Sequence, residues 1–338
     1  MDKYLYLKSG YLNIPYILHF PVPFIFCVGG RGTGKTYGAL KYVLESGEKF
    51  IYMRRTQSQS DLINKPDFSP FKSVARDMGI DIISESVTKY NAAFYRGTRA
   101  DDKIVPDGAP IGYTLALSTV SNLRGFDMTD CTLLIYDEFI PEKHERPLKN
   151  EAAALFNAYE TINRNRELSG SAPLKVLCLA NANDINNPIF AELNIVDKVY
   201  SMQRKTQAVS INEPRGYAVV LLSDSPISER KRETALYKLT SGSEFEDMAI
   251  DNSYGVDFER KRNINLLEYV PLCTIEGITI YKHKSEMRYY CSSHRSGGTE
   301  DIDARLYKKR YATVLADCDA RGWVQYESLA IRLFLLNI

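Results

Sequence analysis

Residues 29–36 read Gly29-Gly30-Arg31-Gly32-Thr33-Gly34-Lys35-Thr36, which fits the phosphate-loop pattern G-x-x-x-x-G-K-[ST]. No other stretch constrains the fold as strongly, because this loop works only between a buried strand and a helix. Both flanks comply. Phe24-Ile25-Phe26-Cys27-Val28 is apolar and β-prone, as a strand covered on both faces should be. Tyr37 to Leu44 carries helix-compatible spacing and stops near Gly47. The glycines let the backbone approach a phosphate closely, and the loop amides and helix start then face the anion. Lys35 is expected to reach the β- and γ-phosphates, and the Thr36 hydroxyl to ligate Mg²⁺.

The rest of the chain must accommodate that unit. At 338 residues it is too long for one small core, so two domains, or one with a substantial appendage, are expected. The 43 Lys and Arg against 42 Asp and Glu leave a formal charge of +1, so any field that attracts nucleic acid must be local. The plentiful tyrosines, 23 of them, suit interfaces without proving any. The six cysteines form no C-x-x-C pair, and Cys27, Cys131 and Cys178 sit in or beside core-strand runs. Buried reduced thiols in a cytoplasmic protein are expected, and a zinc site is not. No apolar run reaches membrane-spanning length. Met1-Asp2-Lys3-Tyr4-Leu5 lacks the basic and apolar regions of a signal peptide, so none is expected.

Along the chain, residues 1–23 look like an irregular lead-in that caps an edge. Phe50-Ile51-Tyr52-Met53 reads as a strand ending in Arg54-Arg55, and residues 57–71 as a polar loop or mobile segment. Further strands are expected at 80–83, 92–95 and 111–117, with a turn-rich connector over 101–110. Residues 131–136 and 174–180 read as core strands, and 150–166 as a helix with apolar residues at mixed three and four spacing. Strands alternating with helices argue a parallel α/β sheet. The texture changes after residue 200. Ser228-Glu229-Arg230-Lys231-Arg232-Glu233 is a dense charge run, which reads as a solvated helix face. Residues 272–281 and 287–291 look like a β-meander, and 300–338 mainly helical.

A second half-site accompanies the loop. Leu133-Leu134-Ile135-Tyr136-Asp137-Glu138 is an apolar strand ending in two carboxylates, about a hundred residues beyond the loop. Strand ends of a parallel sheet face the ligand crevice. Asp137 is therefore expected near Thr36, holding Mg²⁺, and Glu138 as the general base that polarises the attacking water. Asn181, ending the 174–180 strand, is a candidate sensor of the γ-phosphate or the lytic water, or simply a turn cap. Arg31, Arg124 and Arg164 are arginines that could stabilise developing charge in phosphoryl transfer. Arg166 reads as a surface salt bridge. The N-K-x-D base-reading motif of small GTPases is absent.

Taken together, the loop, Phe50 to Arg55, Asp137-Glu138-Phe139-Ile140, Asn163-Arg164-Asn165-Arg166-Glu167 and Leu177 to Ala182 resemble the DNA-packaging ATPases of small protein-primed tailed bacteriophages, relatives of the large terminase motors. The match runs through roughly the first 200 residues and is looser at Ser228 to Lys231 and Gly242 to Asn252. The resemblance implies an α/β fold: an ASCE-type P-loop domain over 1–200, a lid or linker over 201–256, and a small α+β domain over 257–338 like an RNase H-type nuclease without catalytic carboxylates. It implies a homomeric ring, a pentamer, that uses ATP and Mg²⁺ to drive double-stranded DNA through a procapsid portal in the host cytoplasm, in some relatives with a packaging RNA. It makes Arg164 a candidate trans-acting finger and Arg124 a candidate for coupling neighbouring subunits. A family lysine just after the paired arginines is replaced here by Gln57, so no trans role is expected at that position unless Arg54 or Arg55 substitutes. Glu276 and Glu286 are read as surface charge, and no clustered Asp set suits two-metal cleavage. Residues 230–232, 260–262 and 308–310 are candidate DNA-phosphate contacts. The competing readings are a terminase with a live nuclease and a nucleotide-gated assembly factor on the portal.

Overall fold

Nine strands of the described residues line up side by side, the central ones because their sequences are nearly continuous in apolar residues. They are β1 (Phe24–Gly29), β2 (Phe50–Arg54), β3 (Asp81–Ser86), β4 (Ala92–Ala100), β5 (Lys103–Ala116), β6 (Leu133–Asp137), β7 (Lys175–Asn181), β8 (Val209–Asn212) and β9 (Tyr217–Leu222). The order is β3-β4-β5-β2-β6-β7-β1-β9-β8. From β5 to β9 every pairing is parallel, and only β3, β4 and β8 join antiparallel at the flanks. This computed structural model describes residues 4–100, 103–123, 127–142, 145, 148–181, 187–222, 225–240, 264–293 and 297–338. The chain divides into two compact units, residues 1–192 with 199–255, and residues 193–198 with 256–338.

The described helices up to residue 240 are α1 (Ile14–Leu18), α2 (Lys35–Ser46), α3 (Gln57–Ile63), α4 (Lys72–Met78), α5 (Glu151–Asn163), α6 (Pro188–Glu192), α7 (Val196–Arg204), α8 (Pro226–Arg232) and α9 (Ala235–Leu239). Strand alternation sorts the core. Ile25 and Cys27 join a cluster with Leu40 and Val43 of α2 and with Ile14 and Ile17 of α1. Phe26 packs against the rings of Phe139 and Phe190 at 5.8 and 5.4 Å, and Phe24 against Tyr159 of α5 at 4.7 Å. Phe26, Phe139 and Phe190 are fully buried, and each such side chain contributes about 1.5–3 kcal/mol, so burial on both faces anchors β1 and the loop that follows it.

The structure departs from expectation in four places. The lead-in is not a mere edge cap: Leu5, Leu12, Ile14 and Ile17 are core residues, and Pro15 lies in the first turn of α1, where its missing N–H costs nothing. Residues 57–63 form a helix, because Thr56 and Gln59 make a reciprocal capping box. Residues 103–110 extend β5 into a two-stranded arm with β4 in place of a turn-rich connector. The segment after 200 is not only linker: Tyr-Ala-Val-Val-Leu-Leu of β9 is wholly buried and pairs along β1.

The second unit holds a five-stranded sheet of β10 (Tyr269–Ile275), β11 (Ile278–His283), β12 (Tyr289–Ser292), β13 (Glu300–Asp301) and β14 (Val324–Tyr326), in the order β13-β10-β11-β12-β14. The first three make the expected meander. Glu276 and Gly277, both at positive φ, turn β10 into β11, and Pro271 sits where the register slips by a bulge. Residues 304–320 and 329–337 are helical, as read from sequence, with a π turn over Lys308–Ala312. All six cysteines are free and buried. Among the described residues no helix is long and apolar enough to cross a membrane.

Candidate active site

Gly29 ends β1 in register with Asn181 of β7 on one side and Leu222 of β9 on the other. A Cβ on Gly29 would lie 2.5 Å from the Leu222 Cβ, so the neighbouring strand itself requires glycine there. Further on, Gly32 and Gly34 take φ of +73° and +86°, left-handed backbone that glycine adopts without strain. Gly34 caps the start of α2. The lead-in braces the loop from outside: the Leu12 amide donates to the Thr33 carbonyl at 3.0 Å, and the Tyr11 ring packs on Gly34.

Lys35 is folded back onto this loop. Its Nζ donates to the carbonyls of Gly29 and Gly30 at 2.8 and 2.7 Å, and reaches Asn181 Oδ1 at 3.4 Å. Burial pulls its pKa from the usual lysine range down to about 8, against the opposing pull of Asp137. Thr36 Oγ1 donates to both oxygens of the Asp137 carboxylate, at 3.0 and 3.2 Å. The two half-sites read from sequence therefore meet, across a strand order in which β7 separates β1 from β6.

Two residues of β2 complete the carboxylate end, and sequence reasoning gave neither a place there. Tyr52 Oη donates to Asp137 Oδ2 at 2.6 Å. Arg54 bridges the pair, with Nη1 3.4 Å from Asp137 Oδ2 and Nη2 on Glu138. The signal was available in principle: β2 lies beside β6, so the last residues of both face the same crevice. Glu138, its side chain 48% exposed, is held at φ +58°, a conformation that costs a non-glycine residue energy and re-aims its side chain from the strand. Partial burial raises its carboxyl above the ordinary glutamate value, while the guanidinium of Arg54 pulls it down.

The remaining candidates fall elsewhere. Arg31 does not lie over the loop on its own; it pairs with Glu142 beyond β6. Arg164 caps the far end of α5 at φ +49°, 3.8 Å from Asp127 on the approach to β6. α5 is about 20 Å long, so Arg164 lies at the strand-start edge, away from the chain's own loop. Arg124 lies outside the described residues, as do Gly242 to Asn252 and 260–262. Arg166 bonds the Cys131 carbonyl at 2.5 Å, a structural tie. Arg54 is held by Asp137 and Glu138, and Arg55 is 1% exposed and bound to Glu151 and Glu145, so both paired arginines are engaged within the chain and not placed to replace the lysine missing at Gln57. Gln57 itself donates to Asp61 one turn on within α3 and accepts from the Thr119 hydroxyl, which ties the helix to the segment after β5. Glu276 and Glu286 are exposed at opposite ends of β11, roughly 20 Å apart by strand length, so they cannot share a metal. Lys231, read as part of a solvated face, instead donates to the Arg31 carbonyl.

The site fits a magnesium nucleotide. The Thr36 hydroxyl and Asp137 carboxylate are hard oxygen donors already side by side. Arg54 Nε is a buried donor with no partner among the described residues, as a site shaped for an anion would leave it.

A sequence profile described as Podovirus DNA encapsidation protein (Gp16) matches residues 1–263. The DNA packaging protein of Bacillus phage phi29 is 26% identical over 350 residues, covering 96% of each chain. The structure is similar to a chain of the bacteriophage Phi-29 viral genome packaging motor assembly, with a TM-score of 0.65 at 21% identity over 96% of this chain and 97% of that one. It is likewise similar to the Phi-28 gp11 DNA packaging motor, with a TM-score of 0.64 at 18% identity over 98% and 99%. At these identities the structural likeness concerns the fold.

Proposed function

The chain belongs to the podovirus DNA encapsidation protein family, and on that premise we propose that it hydrolyses ATP to drive double-stranded phage DNA through a procapsid portal as a homomeric ring. The observation that carries the reading is the Thr36 hydroxyl bonded to Asp137, with Glu138 one residue on and Asn181 on the strand between. In this reading the loop amides and Lys35 bind the phosphates, Lys35 exchanging its carbonyl partners for them. Thr36 and Asp137 would hold Mg²⁺, which when bound offsets charge on the phosphate oxygens. Tyr52 and Arg54 fix the Asp137 carboxylate. Glu138 takes the proton of the attacking water, and Asn181 orients that water or the γ-phosphate.

Arg164 serves a neighbour. Its place at the strand-start edge suits a residue that completes another subunit's site and not its own. Arg124 is proposed for coupling between neighbours. A pentameric ring, work in the host cytoplasm, a packaging RNA, and a second unit derived from an RNase H-like nuclease belong to the same proposal. DNA is gripped through phosphates, since packaging must tolerate any sequence.

Lys35→Ala is expected to lose nucleotide binding, and Glu138→Gln to bind ATP while turning over about 10²- to 10⁴-fold more slowly. Wild-type turnover in either variant would overturn the reading. A Mn²⁺-dependent nicking assay separates it from a live terminase nuclease, and DNA-independent single-turnover hydrolysis from an assembly factor.

A further inference from the structure

α8 brings a cation to the loop that the proposed chemistry has not used. Lys231 Nζ donates to the Arg31 carbonyl and lies 2.9 Å from where a Cβ on Gly32 would stand. Its other partners are the Tyr237 hydroxyl at 3.2 Å and the face of the same ring, 5.0 Å from the centroid. Among the described residues no carboxylate pairs with it. By contrast Arg31 is neutralised by Glu142, and Lys238 of α9 by Glu233. The position is braced from a second side: Gly10 packs on Pro226 and Ile227 at the start of α8, and the next two residues of the lead-in hold Gly34 and Thr33. An ammonium held by neutral oxygens and a ring, on the outer rim of a phosphate loop, is placed to exchange them for a stronger, charged acceptor.

We propose that Lys231 is a nucleotide ligand in cis, binding a phosphoryl oxygen of the nucleotide on the loop, and that α8 thereby follows the occupancy of the site. This deepens the ATPase reading and rests on it. It also removes Lys231 from the DNA-contact cluster at 230–232, leaving its neighbours on the helix for that role. Tyr237 acts as a positioning residue, holding the ammonium at the rim by hydroxyl and ring.

The test measures equilibrium binding of a fluorescent ATP analogue and of ADP to the full-length protein, for wild type, Lys35→Ala, Lys231→Met and Lys231→Arg. Expected is at least about tenfold weaker binding for Lys231→Met, the loss of one charge-assisted hydrogen bond. Lys231→Arg should recover most of it, and melting without nucleotide should be unchanged for both. Wild-type affinity in Lys231→Met, with Lys35→Ala still unable to bind, would overturn this inference and leave the ATPase reading standing. Weaker DNA retention with unaltered nucleotide affinity would also overturn it, returning the residue to the DNA face. No binding by the wild type would instead remove the ATPase reading itself.

Discussion

Glu138 is set between two opposed influences, and each has a measurable consequence. Burial holds its proton to higher pH than an ordinary glutamate, whereas Arg54 favours the charged form. A general base acts only when ionised, so turnover should fall on the acid side as pH drops through its raised pKa. Replacing Arg54 by Gln removes the lowering influence and should move that acid limb to higher pH; a pH profile of kcat for both proteins decides it. Lys35 gives the converse sign. With a pKa of about 8 in the nucleotide-free protein, it is part neutral above that pH, and bound phosphates favour its charged form. Nucleotide binding near pH 8.5 should therefore take up protons, measured as a dependence of calorimetric enthalpy on buffer, and the uptake should vanish near pH 6.5, where Lys35 is already charged.

At the scale of elements, the loop depends on strands that sequence patterning treats as scaffolding. Gly29 does not need a positive φ; it is glycine because Leu222 of β9 sits against it. Gly29→Ala should cost about 1–3 kcal/mol by overpacking, read as a lowered Tm, and Leu222→Ala in the same chain should not restore it, because alanine keeps the Cβ that the new methyl meets. Two helices show what was legible. α2 was readable from both ends, between the glycine loop and Gly47. α3 is hidden, although Thr56 and Gln59 carry the capping pattern, because the stretch around it is polar and contains Pro and so has the composition of a loop. Thr56→Ala should cost about 1 kcal/mol of stability.

For the whole molecule, the sheet sets the limits of the folding unit. A fragment ending at residue 200 lacks β8 and β9, leaving β1 as an unpaired edge and uncovering the packing of Val220 and Leu222 on the core. It should aggregate, whereas a fragment ending at 255 should stay soluble and melt cooperatively, compared by size-exclusion chromatography and thermal melting. The placement of Arg164 carries a prediction for the ring. Mixing Arg164→Ala with Lys35→Ala subunits should restore part of the hydrolysis that each lacks alone, and no recovery at any ratio would refute a shared site.

The sequence by itself determined the phosphate loop, its strand and helix, and the carboxylate strand that answers it. Those features are local: glycine at fixed offsets, a charged residue at a strand end, and unbroken apolar runs each carry their reason within a few residues. Only the tertiary structure decided that Tyr52 and Arg54 hold the carboxylates, that β9 shapes Gly29, that Arg164 faces away from its own loop, and that Lys231 reaches the rim. Each of these joins residues far apart in the chain, where strand order and helix packing set the distance. A charged residue in a polar run reads the same whether it meets water or a loop carbonyl, and only the folded neighbours distinguish the two.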